Sequence, residues 1–145
     1  MTIRKTIAAA ALIALAVFSA DAASKKKAQP DYSAIRGVCH TGWAGKEEIV
    51  RRDLGYGQRI GLNSTRIWLS PRMYERDQKG FIKMLDNYIS VANSMGYSVM
   101  PILFNGNGLN PEIIKEENWA ANEEYVRAVV GAIKGKEGLL CWDIM

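Results

Sequence analysis

Four short, β-prone apolar segments alternate with helix-patterned ones, and this alternation constrains the chain more than any other feature. The apolar segments begin near residues 35, 64, 98 and 139. Ser64-Thr65-Arg66-Ile67-Trp68-Leu69 is rich in β-branched and aromatic residues, which suit a pleated, half-buried surface. Ile35 to His40, Ser98 to Phe104 and Leu139 to Met145 read as strands too, the last as a buried parallel strand. Pro101 counts against the third, because it removes a ladder donor.

The intervening stretches carry the helical period. Lys46 to Ile60 places Val50, Leu54 and Gly57 on one face with Ile49, Tyr56 and Ile60 nearby. Glu47 and Glu48 favour its first turn, and Gly61 ends it. Gly55 and Gly57 weaken this helix, and close packing against a sheet is the expected reason. Lys79 to Met95 is the clearest helix, with Phe81, Met84, Leu85, Tyr88, Ile89 and Ala92 in phase and Gly96 at its end. Asn122 is the expected cap of a helix from Glu123 to Lys134, apolar along Tyr125, Val126, Val129, Val130 and Ile133. Thr41 to Gly45 reads as a loop, Ser70-Pro71 as a strand break, Asn105 to Gly108 as a glycine turn, and Asn110-Pro111 as the start of a short helix over Glu112 to Lys115. Strand-helix alternation of this kind argues an α/β fold with a parallel sheet. It leaves open whether the sheet is the first half of a (β/α)8 barrel or an open doubly wound layer. No G-x-G-x-x-G follows the first strand, which weakens the dinucleotide-binding version.

The N-terminus has the organisation of a secretory signal. Arg4 and Lys5 precede the apolar run Ile7 to Phe18, and Ala20-Asp21-Ala22 offers a cleavage site before Ala23. The run is short for a membrane span. A secreted or periplasmic location follows, with no membrane association after cleavage. Residues 23–33 read as a basic, flexible linker and 34–145 as the folded domain. The net charge of +4 owes much to Arg4, Lys5 and Lys25 to Lys27, so the body is near neutral and carries no nucleic-acid footprint. With one histidine and two cysteines, no metal cluster or cofactor is expected. Cys39 and Cys141 fall in apolar strands that are not neighbours in a sequential sheet, so two buried free thiols are expected rather than a disulfide.

Arg66 is the sharpest single residue, since an arginine inside a strand is costly unless paired. Trp68 is two residues on and points the same way. Trp68 and Trp43 are each open to two readings, a platform for a sugar ring or core packing. His40 ends the first strand on the side where α/β barrels keep their sites, and otherwise caps a loop. Asn105 either binds a hydroxyl or makes the turn before Gly106. Asp143, a carboxylate in an apolar strand, is expected to be structural and paired with a basic strand residue such as Arg66, not catalytic.

Three motifs, Arg36-Gly37-Val38, Gly61-Leu62-Asn63-Ser64-Thr65-Arg66-Ile67-Trp68 and Trp142-Asp143-Ile144-Met145, resemble in order and spacing the first, second and fourth barrel strands of clan A glycoside hydrolases, the cellulase and mannanase type (family five). The resemblance implies the N-terminal half of a TIM barrel and a secreted enzyme that hydrolyses β-linked polysaccharide or oligosaccharide with retention. It makes Arg66 the support of the nucleophile and His40, Trp43, Trp68 and Asn105 substrate contacts. Cys39 stands where many members have asparagine. The resemblance puts both catalytic glutamates beyond Met145, so no catalytic residue is expected within these 145 residues and the chain alone is expected to be inactive. Open first and fourth strands would favour self-association. The alternatives are a non-catalytic carbohydrate-binding barrel and an envelope solute-binding α/β protein.

Overall fold

The computed structural model describes residues 31–104 and 115–144. The N-terminal signal and most of the linker, Asn105 with its glycine turn, and the proposed helix over Glu112 to Lys115 (Lys115 apart) lie outside the described residues. Strand β1 is Gly37–Cys39, β2 is Ser64–Trp68 and β3 is Ser98–Ile102. The α-helices among the described residues are α1 (Glu47–Arg59), α2 (Pro71–Arg76), α3 (Gln78–Ser94) and α4 (Trp119–Ile133). The fold is α/β. The strands pair in parallel in sequence order, with Gly37 opposite Ser64 and Ser64 opposite Ser98.

Strands β2 and β3 each have one face against the helices, whereas the short edge strand β1 is exposed along its length. Thr65, Ile67 and Leu69 on β2 and its end are buried, as are Val99 and Leu103 on β3 and just past it. They share one core with Val50 and Leu54 of α1, Phe81, Leu85, Tyr88 and Ile89 of α3, and Tyr125, Val129 and Ile133 of α4. Three buried phenols peg the helices to the strands: Tyr88 donates to Thr65 Oγ1 at 3.1 Å, Tyr97 to the Leu54 carbonyl at 2.8 Å and Tyr125 to the Leu103 carbonyl at 2.8 Å. The opposite face, with Ser64, Arg66 and Trp68, has no helix on it among the described residues. Asn63 stitches the lower end of the sheet, accepting from the Arg36 amide and donating to the Ala34 carbonyl.

Several sequence expectations are corrected. Thr41–Ala44 forms a 3-10 turn. Ser70-Pro71 ends β2 but also opens α2, with Pro71 at the first helical position, where its missing N–H costs nothing. Helix α4 starts at Trp119, four residues before the expected start, with Asn118 rather than Asn122 at its cap position. The 139–144 segment is not a continuous buried strand. It meets β3 through two isolated parallel bridges, Val99 with Leu139 and Ile102 with Asp143, and Cys141 and Ile144 are exposed. Three steps on β3 face four on this segment, so it carries one extra residue, a bulge. Pro101 explains it: its carbonyl accepts from Asp143 N at 2.9 Å, but its nitrogen has nothing to donate where the bulge stands opposite.

The two helix glycines separate. A Cβ on Gly57 would collide with the Tyr97 hydroxyl and sit 3.2 Å from Leu62, whereas Gly55 has nothing within 4 Å. Gly55→Ala is therefore expected to stabilise the fold by up to about 1 kcal/mol through helix propensity. Gly57→Ala is expected to destabilise it by about 1–3 kcal/mol, because displacing Tyr97 outweighs the same propensity gain. Urea midpoints of the two variants should move in opposite directions.

Candidate functional site

The bare face of the sheet carries a charged pair. Arg66 on β2 donates from Nε and Nη2 to Asp143 Oδ2 at 3.0 and 2.6 Å, reaching across β3. The two side chains are 28% and 20% exposed, so the pair is largely withdrawn from water. Donating to the Asp143 carboxylate holds the guanidinium pKa above its already high ordinary value. Cys39 lies opposite Arg66 in the β1–β2 register and also contacts the guanidinium electrostatically. This is the structural pairing the sequence suggested for Asp143.

Trp68 stands on the same face, about 7 Å further up the strand. Here the carboxyl ends of β1 and β2 open into a cavity of about 410 Å³ lined by Thr41, Trp43, Ala44, Trp68, Ser70 and Met73. Two hydroxyl side chains, two indoles and a thioether make its lining amphipathic. Trp43 is mostly core, at 5% exposed, and packs edge-on against Phe81 and Tyr88. Its Nε1 donates to the Trp68 carbonyl at 2.8 Å, so it fixes the backbone that carries Trp68. Its indole is thus packed largely in the core, and the residue also lines the cavity.

His40 does not join this site. Period-two alternation from Val38, opposite Thr65, turns His40 to the helix side. There its Nδ1 meets the Tyr88 hydroxyl at 2.8 Å and its Nε2 lies 3.6 Å from Asp53 Oδ2, buried and without a hydrogen-bond partner. The Asp53 carboxyl is held below its ordinary range, first by its hydrogen bond from Arg52 and more weakly by His40. Gly42 roofs this cluster, since a Cβ there would come within 3.0 Å of His40 Nε2. His40 thus ends its strand near the cavity, but its side chain lies on the helix side and is not among the cavity's lining. The same alternation, read from Arg66 through the register, was the signal that could have found this.

Both cysteines are free, as expected, but both are exposed, correcting their assignment to the core. Cys39 sits on the short edge strand's bare face, and Cys141 in the bulge. Burial and the neighbouring Asp143 push the Cys141 thiol pKa up. Sequence reasoning missed Thr41, Ser70 and Met73. Ser70-Pro71 was read only as a strand break, although a hydroxyl at a strand-to-helix junction is where α/β sheets keep binding groups. Among the described residues no group of three metal-ligating side chains converges, and no helix is long and apolar enough to cross a membrane. No family model and no curated protein matches the chain.

Proposed function

We propose that this chain binds β-linked carbohydrate at the carboxyl ends of its strands, as part of a secreted, retaining glycoside hydrolase of the (β/α)8 type. The observation that carries the reading is the cavity where Trp68 meets Thr41 and Ser70, with the Arg66–Asp143 pair beneath it on the same sheet face. The strand order supports a barrel: among the described residues the parallel strands run in sequence order with one layer of helices, as in a singly wound sheet, whereas a doubly wound sheet reverses its order and carries helices on both faces. A purely parallel sheet is covered on both faces, Ser64 and Ile102 on the face away from the helices are themselves buried, and a barrel fills that face with layers of its own side chains.

In this reading Trp68 stacks on a sugar ring and the hydroxyls of Thr41 and Ser70 fix its orientation. Arg66 supplies the positive charge that holds a nucleophilic carboxylate ionised in a retaining site. Calorimetric titration with cello- and manno-oligosaccharides tests it: saturable binding is expected, and Trp68→Ala should weaken it about tenfold or more, roughly 1.4 kcal/mol. Binding that Trp68→Ala leaves unchanged contradicts the assignment.

The non-catalytic carbohydrate-binding reading has one observation in its favour for these residues taken alone. Among the described residues the cavity lining contains no carboxylate, and Asp143 is engaged by Arg66. The chain is therefore expected to bind without cleaving. Release of reducing sugar from a β-glucan or β-mannan by the purified chain, absent in an Arg66→Met control, contradicts that expectation.

A further inference from the structure

The imidazole of His40, the chain's one histidine, sits behind the candidate cavity in a polar cluster that takes no part in the proposed sugar contacts. It is only 11% exposed and is held between three elements. On α3 the Tyr88 hydroxyl lies 2.8 Å from Nδ1, and Tyr88 gives its own proton to Thr65 Oγ1 on β2. A phenol has one proton to give, so towards His40 the hydroxyl accepts and Nδ1 is the donor. In a neutral ring Nε2 is then a bare acceptor. It faces a second acceptor, Asp53 Oδ2 on α1, at 3.6 Å, and it is buried without a hydrogen-bond partner. Arg52 engages the other carboxylate oxygen, Oδ1, and leaves Oδ2 turned to the ring. A second proton on the imidazole converts these opposed lone pairs into a charge-assisted contact. Asp53, with Arg52 on it, and Tyr88 are the titratable and charged groups that face the ring. From β2 comes the uncharged Thr65, and Cys39 on the histidine's own strand contacts Arg66 on the other face.

We propose that His40 is a proton-operated latch for one wall of the cavity: the doubly protonated ring bridges the Tyr88 hydroxyl to the Asp53 carboxylate and holds the Thr41–Ala44 turn against α1 and α3. His40 is the residue from which this turn starts, and the turn packs on both helices. Gly42 lies directly over the contact, since a Cβ there would meet His40 Nε2 at 3.0 Å and Asp53 Oδ2 at 3.5 Å. Its neighbours Thr41, Trp43 and Ala44 line the cavity. When Nε2 gives up its proton the two acceptors repel, the partly exposed Asp53 side chain turns towards water, and the turn loses an anchor on α1. His40 is therefore a positioning residue that acts through the turn without touching a ligand. Its effect on sugar affinity rests on the carbohydrate reading, whereas the latch itself does not.

A single histidine makes the latch readable. Nitrogen–proton correlation spectra of the imidazole in the full chain should show both N–H groups at acidic pH and, once the ring is neutral, a proton on Nδ1 alone. Asp53→Asn is a near-isosteric change at a partly exposed position. It should let His40 release its second proton at lower pH than in the unaltered chain, because the amide brings no charge and can itself donate to the bare Nε2. The Gly45 amide, bonded to the Gly42 carbonyl at 3.0 Å, reports on the turn. Its hydrogen-exchange protection, corrected for the intrinsic pH dependence of exchange, should fall severalfold across the His40 titration and stay level over the same range in Asp53→Asn. Affinity for a β-linked oligosaccharide should weaken over that range in the unaltered chain only. A neutral ring protonated on Nε2, an unmoved titration in Asp53→Asn, or Gly45 protection or sugar affinity indifferent to the proton would each overturn the proposal. The expected imidazole and Gly45 responses in a chain that binds no sugar would support the latch and contradict the carbohydrate reading.

Discussion

Arg66→Met is expected to destabilise the folded chain by about 2–3 kcal/mol, read as a fall in the urea midpoint. The figure lies between the small worth of an exposed ion pair and the larger cost of breaking a fully buried one, because both side chains are mostly but not wholly covered. The loss has a direction as well as a size. Asp143 belongs to a segment attached to β3 by two bridges on either side of a bulge, and its side-chain bonds to Arg66 reach past β3 to β2. Removing the guanidinium takes two hydrogen bonds from the Asp143 carboxylate and weakens the segment's second attachment. Hydrogen exchange should therefore accelerate first at the Leu140 and Asp143 amides, both of which bond to β3. Replacing both partners, Arg66→Met with Asp143→Leu, should recover much of the stability, since an apolar pair of similar size leaves no unpaired charge. If the double variant is as unstable as the single one, the pair does more than hold the segment.

The second large effect is alkaline unfolding. Burial pushes the Tyr88 phenol up to about 12, and it moves Tyr97 and Tyr125 upward as well. An unfolded tyrosine ionises near pH 10. Below that value the phenols are neutral in both states and their contribution to stability is fully present. Between about pH 10 and 12 the unfolded chain loses the Tyr88 proton and the native chain keeps it, so stability falls by about 1.4 kcal/mol per pH unit from this group. The three phenolate absorbances should thus appear together with loss of circular dichroism, not before it. Tyr88→Phe shrinks this alkaline sensitivity but lowers stability at neutral pH by about 1–3 kcal/mol, because Thr65 and His40 both lose the hydroxyl between them. Ionisation of all three phenols in a still-folded chain would contradict the packing described.

The parts of the fold that were legible in the sequence are those where one physical signal dominated. Helix α3 combines a long amphipathic period with Gly96 at its end, which has φ +78° as a helix terminator of this kind requires. Strand β2 was legible because its burial alternates, with Thr65 and Ile67 buried and Arg66 and Trp68 half-buried. Helix α2 was missed because six residues are too few to establish a period. The start of α4 was misplaced because Asn122 reads as a cap, whereas the helix begins a turn earlier, with Asn118 at the cap position. The last segment misled for a tertiary reason. Its apolar residues suggested burial, but Pro101 on the neighbouring strand forces a bulge that no local pattern in residues 139–144 could reveal. At the candidate site, Arg66 and Trp68 were legible from strand alternation. Trp43 was ambiguous because an indole next to a glycine suits a surface loop as well as a core, and only the 2.8 Å bond to the Trp68 carbonyl shows how it is used.

Carbohydrate recognition at the strand ends is tested most directly by the indole N–H resonances of the four tryptophans during titration with a β-linked hexasaccharide. The Trp68 signal should move and saturate, with a smaller response from Trp43 behind it, while Trp142 beside the bulge stays in place. A spectrum in which Trp68 is unmoved while the sugar is in large excess, or in which the other tryptophans shift and it does not, would contradict the account.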